Sequence, residues 1–184
     1  MPSMDPSPVI RLPDPCLVVL VGAAGAGKST FAARHFAPGE ILSSDAYRAR
    51  LAGDAADQRA TAGAFSALHR DLRRRLAARQ LTIVDATSVQ HRARAALLRD
   101  AAAAGIPAVA IVLDLPPDVV LARNAERTGS RVVPEDAVRR HLEALRRALA
   151  GDGLEREGFS AVVRLRDTGA VAAARVERVR SPAA

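Results

Sequence analysis

The chain has 184 residues, 49% of them hydrophobic, and a formal net charge of +7 at pH 7. That length supports one domain with a full core and is too short for two comfortable ones, and no apolar run approaches the roughly 20 residues of a membrane span. The lone cysteine, Cys16, excludes an internal disulfide and a multi-cysteine zinc site and points to a cytoplasmic setting, while the basic balance suits a phosphate-rich partner.

Residues 1–15 carry proline at five positions and lack the basic start and apolar block of a signal peptide. They read as a flexible Pro-rich lead-in to a single domain over 16–184. Cys16 to Val21 is an unbroken apolar run that stops at Gly22, the pattern of a strand buried on both faces of a parallel sheet. A helix follows over about 28–37, then a short strand from Glu40 to Ser43 that ends at Ser44-Asp45. A long helical stretch from Gln58 to Arg79 leads to the strand Leu81 to Val84 and the tip Asp85-Ala86-Thr87. A helix near 89–104, the strand Ala108 to Leu113, helices over Asp118 to Arg127 and Pro134 to Ala150, and a strand Ala161 to Leu165 complete the pattern; residues 175–184 fit strand, helix or disorder. Strands alternating with long helices predict an α/β fold: a parallel sheet of about four to five strands, helices on both faces, with ligands bound beyond the strands' carboxyl ends. Gly22, Asp45 and Asp85 should then share one rim.

Gly22-Ala23-Ala24-Gly25-Ala26-Gly27-Lys28-Ser29-Thr30 satisfies the P-loop pattern, with a strand before it and a helix after. Small residues let successive backbone N–H groups wrap phosphates, the helix presents its positive N-terminus, Lys28 reaches the β and γ phosphates, Ser29 ligates Mg²⁺ directly and Thr30 touches the α phosphate. Lys28 is the chain's single lysine among 27 Lys+Arg, and it stands where a compact ammonium is preferred to a flat guanidinium. A chain with one lysine, already in the P-loop, cannot hold the Asn-Lys-x-Asp guanine reader of GTPases. The Val84-Asp85-Ala86-Thr87 tip lacks the paired acids of motor ATPases. A compact P-loop NTPase of the kinase kind, with a lid segment, fits the residues better.

Several side chains admit two readings. Asp45 is either a carboxylate facing the phosphates or a helix N-cap with Ser43 and Ser44. Asp85 is either a magnesium-side acid or a turn residue. Arg123 and Arg127 lie four apart on one helical face beside Thr128-Gly129-Ser130, a loop able to close as a lid, or form a basic stripe paired with Glu126 or Asp118. The cluster Arg70, Arg73, Arg74, Arg75 and Arg79 reads as a solvated helix face, with a backbone-binding patch as the alternative. His35, His69, His91 and His141 have no metal-ligand spacing.

The runs LVVLVGAAGAGKSTFAARHF, ILSSDAYR, DQRATAGAF, LTIVDATSV and VLARNAER, in this order over residues 16–165, resemble the kinase domain of bacterial and phage polynucleotide 5′-kinases. The resemblance implies ATP and Mg²⁺ as cofactors and 5′-hydroxyl ends of DNA or RNA as acceptor. It also implies a 3′-phosphatase or ligase partner on another chain. Asp45 takes the family's general-base position and Arg48, on the same helical face, grips an acceptor phosphate. Asp85 steadies a magnesium-bound water with Thr87 supporting it, and Gln58 contacts the acceptor phosphodiester. Arg123 and Arg127, with the less securely matched Arg131, offset charge on the β and γ phosphates. Where the family reads DATN this chain has Ser88, which implies a shortened or lost substrate contact. Two other readings share the ATP site: a small-molecule kinase acting on a sugar, antibiotic or nucleoside, and a non-catalytic ATP-binding repair module.

Overall fold

The computed structural model describes residues 8–51, 58–129 and 132–180, and for 58–61 the backbone alone. In chain order the elements are β1 (Val9–Asp14), β2 (Leu17–Val21), α1 (Lys28–His35), β3 (Ile41–Ser43), α2 (Ser44–Leu51), α3 (Gln58–Ala77), β4 (Thr82–Asp85), α4 (His91–Ala103), β5 (Ala108–Leu113), α5 (Pro117–Ala125), α6 (Glu135–Ala148), β6 (Ala161–Leu165), α7 (Thr168–Ala173) and β7 (Arg175–Arg180).

Five strands form one parallel sheet in the order β3-β4-β2-β5-β6, with the P-loop strand β2 at its centre. Side chains alternate across a strand, so each strand serves two cores. Val18, Leu20, Ile83, Val109, Ile111 and Leu113 pack on one face with Phe31 and Ala32 of α1, Val120 of α5 and Val138 of α6. Leu17, Val19, Val21, Val84, Ala110 and Val112 pack on the other, against Leu68, Leu72 and Leu76 of α3, Leu97 of α4 and Leu145 of α6. The four-residue spacing of the α3 leucines keeps them on one stripe over the sheet. No helix among the described residues is long and apolar enough to cross a membrane.

The expected lead-in is corrected over its second half. Residues 9–14 form a strand paired in parallel with β7, from Val9 with Arg175 to Asp14 with Arg180. Ile10 and Leu12 are fully buried and join the first core, while Val9 and Arg11 face outward. That period-2 alternation favours a half-buried strand, and the prolines around it are compatible with a strand at a sheet edge. The undecided tail therefore supplies a strand over 175–180, and Arg178 anchors it through two hydrogen bonds to the Glu40 carboxylate just before β3. Helix α1 stops at His35, two residues before its expected end, because Phe36 is extended and Pro38 starts a 3-10 turn.

Candidate active site

The strand register brings the candidate residues together. Ser43 at the end of β3 pairs with Asp85 at the end of β4, and the N–H of Gly22, just past β2, donates to the Thr87 carbonyl at 3.1 Å. Gly22, Asp45 and Asp85 thus occupy one rim, at the carboxyl ends of three adjacent strands.

The P-loop runs from β2 into α1 through two left-handed glycines, Gly25 (φ 94°) and Gly27 (φ 92°). Gly25 has a second reason to lack a side chain: a Cβ there would lie 2.5 Å from the Val120 carbonyl of α5. Gly27 is the N-cap of α1 and offers no capping side chain, so the first-turn N–H groups of the helix stay open to an anion. Gly22, Ala23, Ala24, Gly25 and Ala26 are buried, whereas Ser29 and Thr30 are exposed at the mouth.

Lys28 is 8% exposed and donates from Nζ to the carbonyls of Gly22 (2.9 Å) and Ala23 (2.8 Å). Burial pushes its pKa down to about 8, with Arg127 adding to the fall and Asp85 and Asp45 opposing it. These charges therefore all act on one ammonium. Asp85, 7% exposed, accepts a hydrogen bond from the Ser29 hydroxyl; burial raises its carboxyl above the usual range, against the pull of that bond and of Lys28. A Ser hydroxyl beside a buried carboxylate at a phosphate cradle is a donor set suited to Mg²⁺, which takes few protein ligands and keeps waters and phosphate oxygens. No cluster of three or more His, Cys, Asp or Glu side chains able to hold a metal occurs among the described residues.

Asp45 lies in the first turn of α2 and does not cap it. The Ser43 Oγ accepts from the Ala46 N–H at 3.4 Å, which is the N-cap pattern. Asp45 keeps its carboxylate outward, 80% exposed, and is ion-paired with Arg48, whose guanidinium also donates to the Ser44 carbonyl. Thr87 contributes its backbone carbonyl to the P-loop; Asp85 takes its side-chain partner from Ser29 and not from Thr87 as expected. The Gln58 side chain, Ser130 and Arg131 lie outside the described residues.

Arg123 reaches over the P-loop: a Cβ on Gly27 would lie 3.6 Å from its guanidinium. Arg123, Arg127 and Thr128 close one side of a cavity of about 570 Å³ whose other walls are Gly25, Thr30, Phe31 and Arg34 of the P-loop segment and Thr168, Val171 and Ala172 of α7.

Sequence reasoning missed three features. Asn124, between Arg123 and Arg127, is 5% exposed and bonds Val133 twice, donating to its carbonyl (2.7 Å) and accepting from its N–H (3.3 Å). It therefore ties α5 to the chain just before α6, and its place inside Arg123-Asn-x-x-Arg127 was the available signal. Arg94 is 1% exposed, pairs with both oxygens of Glu157 and donates to the Ser88 carbonyl at 2.9 Å. Ser88 itself is left-handed (φ 49°) and buried. Asparagine tolerates that conformation better than most residues, so an Asn at this position of a DATN pattern has a backbone reason. The third is the α7 wall of the cavity, which no motif marks.

Comparison with known proteins agrees with this architecture. The AAA_33 family model, an AAA domain, matches residues 17–151. A sugar kinase from Janibacter sp. HTCC2649 superposes with a TM-score of 0.55 at 22% identity, covering 83% of this chain and 85% of the other. A chain of the Pnkp1/Rnl/Hen1 RNA repair complex gives 0.59 at 24% identity over 84% of this chain and 48% of its own length. A gluconokinase from Sinorhizobium meliloti 1021 gives 0.53 at 18% identity, with coverages of 88% and 93%. At these identities the likeness is one of fold, that of P-loop kinases. No curated protein matches the chain.

Proposed function

The chain belongs to the AAA_33 family of AAA domains, and on that premise we propose that it is an ATP-dependent polynucleotide 5′-hydroxyl kinase. The observation that carries the reading is the pairing of Ser43 with Asp85 in the sheet, which sets Asp45 beside the phosphate cradle while Arg48 sits one helical turn away. A P-loop with one flanking carboxylate exposed to solvent has the parts for in-line transfer to a hydroxyl.

In this reading the triphosphate lies along Gly22–Thr30 with its nucleoside in the cavity beside α7. Lys28 leaves the carbonyls of Gly22 and Ala23 for the β and γ phosphates. The acceptor's 5′-hydroxyl replaces Arg48 on Asp45, whose carboxylate orients it and takes its proton as the new bond to the γ phosphorus forms and the bond from that phosphorus to the β,γ-bridging oxygen breaks. Arg123 and Arg127 lie against the charge that gathers on the departing diphosphate. Ser29, and Asp85 through a water, would hold Mg²⁺, which would supply neutralisation of charge on the phosphate oxygens. Arg48, once released, grips the first acceptor phosphate.

The test offers ATP labelled at the γ position together with a 5′-hydroxyl oligonucleotide and, in separate reactions, gluconate, hexoses and nucleosides. The reading expects label on the oligonucleotide end alone. Label on a small hydroxyl compound assigns the protein to small-molecule phosphorylation instead, and nucleotide binding with no transfer to any acceptor assigns it to a non-catalytic module.

A further inference from the structure

Helices α3 and α6 are both rich in arginine and treat it differently. On α6, Arg139 and Arg140 pair with Glu135 and Asp136 one turn back, and Arg146 and Arg147 share Glu143. Helix α3 carries five arginines and one carboxylate, Asp71, which is already engaged by the Tyr47 hydroxyl at 2.5 Å. Arg73 reaches Asp100 of α4 at 3.5 Å, and Arg75 donates to the Thr82 hydroxyl and the Leu81 carbonyl. Arg70 and Arg74 are exposed and make no ion pair among the described residues. Four residues apart, they stand on one face about 6 Å from each other along the helix axis.

That face adjoins the acceptor side of the rim. Tyr47 of α2 bonds the residue next to Arg70, and Arg70 and Arg50 both act electrostatically on its hydroxyl. The Arg50 guanidinium lies 5.6 Å over the Tyr47 ring. Helix α2 carries Asp45 in its first turn. Arg50 and Arg70, which meet at Tyr47, and Arg74 one turn further along α3 therefore form a line of positive charge leading away from the helix that holds the position assigned to the attacking hydroxyl.

We propose that this line is a track for the phosphodiester backbone of a single-stranded acceptor, 3′ of the end being phosphorylated; the inference rests on the 5′-kinase reading above. An exposed guanidinium without a carboxylate can take a phosphate oxygen pair and release counterions from the strand. An arginine already neutralised on its own helix gains less. Contacts of this kind read the backbone and not the bases, consistent with a chain in which aromatic residues make up 3%.

The full chain is tested with a 5′-hydroxyl dinucleotide and a 5′-hydroxyl single strand of about 12 nucleotides, a length that spans a single-strand site. For Arg70→Gln with Arg74→Gln, affinity for the longer strand falls on the order of tenfold at about 50 mM salt, and the slope of log K against log salt becomes shallower by about 1.4. Phosphorylation of the dinucleotide stays unchanged. Arg146→Gln with Arg147→Gln removes the same net charge from α6 and leaves both quantities at the wild-type value. The track is overturned if the α3 pair leaves affinity and salt slope intact, or if the α6 pair lowers them equally. Transfer by the wild type to neither acceptor overturns the kinase reading and the track together, whereas transfer to both with an unaffected α3 pair overturns the track alone.

Discussion

On the donor side of the rim, Lys28 and Asp85 are less than a tenth exposed, and each is held by a neighbour, the P-loop carbonyls for one and Ser29 for the other. On the acceptor side, Asp45 and Arg48 expose 80% and 46% of their side chains and hold mainly each other and the Ser44 turn. Under the proposed function the difference follows from what each side would meet. A triphosphate presents the same charges every time, so its groups can be buried and fixed in advance, at the cost of desolvating them. An acceptor that has to enter, react and leave would meet exposed groups held by each other and by the Ser44 turn, and binding would exchange the contact between them for a new one.

The sharpest way to break the comparison is to change a donor group. Lys28→Met should lower phosphate transfer by about 10³-fold or more with a small net change in thermal stability, because it removes a charge buried at a desolvation cost and leaves the Gly22 and Ala23 carbonyls without their donor. Transfer near the wild-type rate would take Lys28 out of the phosphate site. Next comes Arg123→Ala, expected to reduce kcat by about 10²-fold with no change in denaturation midpoint, since the side chain is exposed; an unaltered kcat would remove it from the transition state.

A third effect is pH-dependent and has two signs. Below about pH 8 Lys28 is charged in both native and unfolded chains, and the full cost of its burial is present. Between about 8 and the ordinary lysine value of 10.5 the native state releases its proton first, so this group's contribution to stability rises with pH. Nucleotide affinity moves oppositely, because the phosphates need the ammonium, and should weaken as pH climbs through 8. Titration calorimetry with ATP checks the second sign and urea unfolding the first. Lys28→Met should flatten both.

Smaller effects sharpen the supporting shell. Asn124→Ala leaves the Val133 backbone unpaired and should cost about 1–3 kcal/mol of stability while raising the KM for ATP through a loosened tie between α5 and the chain before α6. Ser88→Asn, at a left-handed position, should stabilise by at most about 1 kcal/mol and leave the transfer rate near wild type; a large gain in transfer would return position 88 to the substrate.

The central sheet was legible because burial on both faces produces unbroken apolar runs, as in Leu17 to Val21 and Ala108 to Leu113. The P-loop was legible because its contacts are local in sequence. β1 was not, since Pro8, Pro13 and Pro15 outweighed the alternation of Val9, Ile10, Arg11 and Leu12, and its partner β7 lies more than 160 residues away. Arg94 with Glu157 and Tyr47 with Asp71 were hidden for the same reason: a side-chain pair between distant elements leaves no periodic mark. Asp45 lies on the rim it was expected to share with Gly22 and Asp85, and its place inside the first turn of α2, with Ser43 Oγ accepting from Ala46, is what sequence could not separate from a capping role.

The most direct test of the account is single-turnover transfer from ATP to a 5′-hydroxyl oligonucleotide by wild type and by Asp45→Asn, with ATP binding measured on the same preparations. If Asp45 takes the hydroxyl proton, the substitution leaves nucleotide binding unchanged and slows transfer about 10²–10⁴-fold. Equal transfer rates in the two proteins, or no transfer to the oligonucleotide by the wild type, would contradict the account.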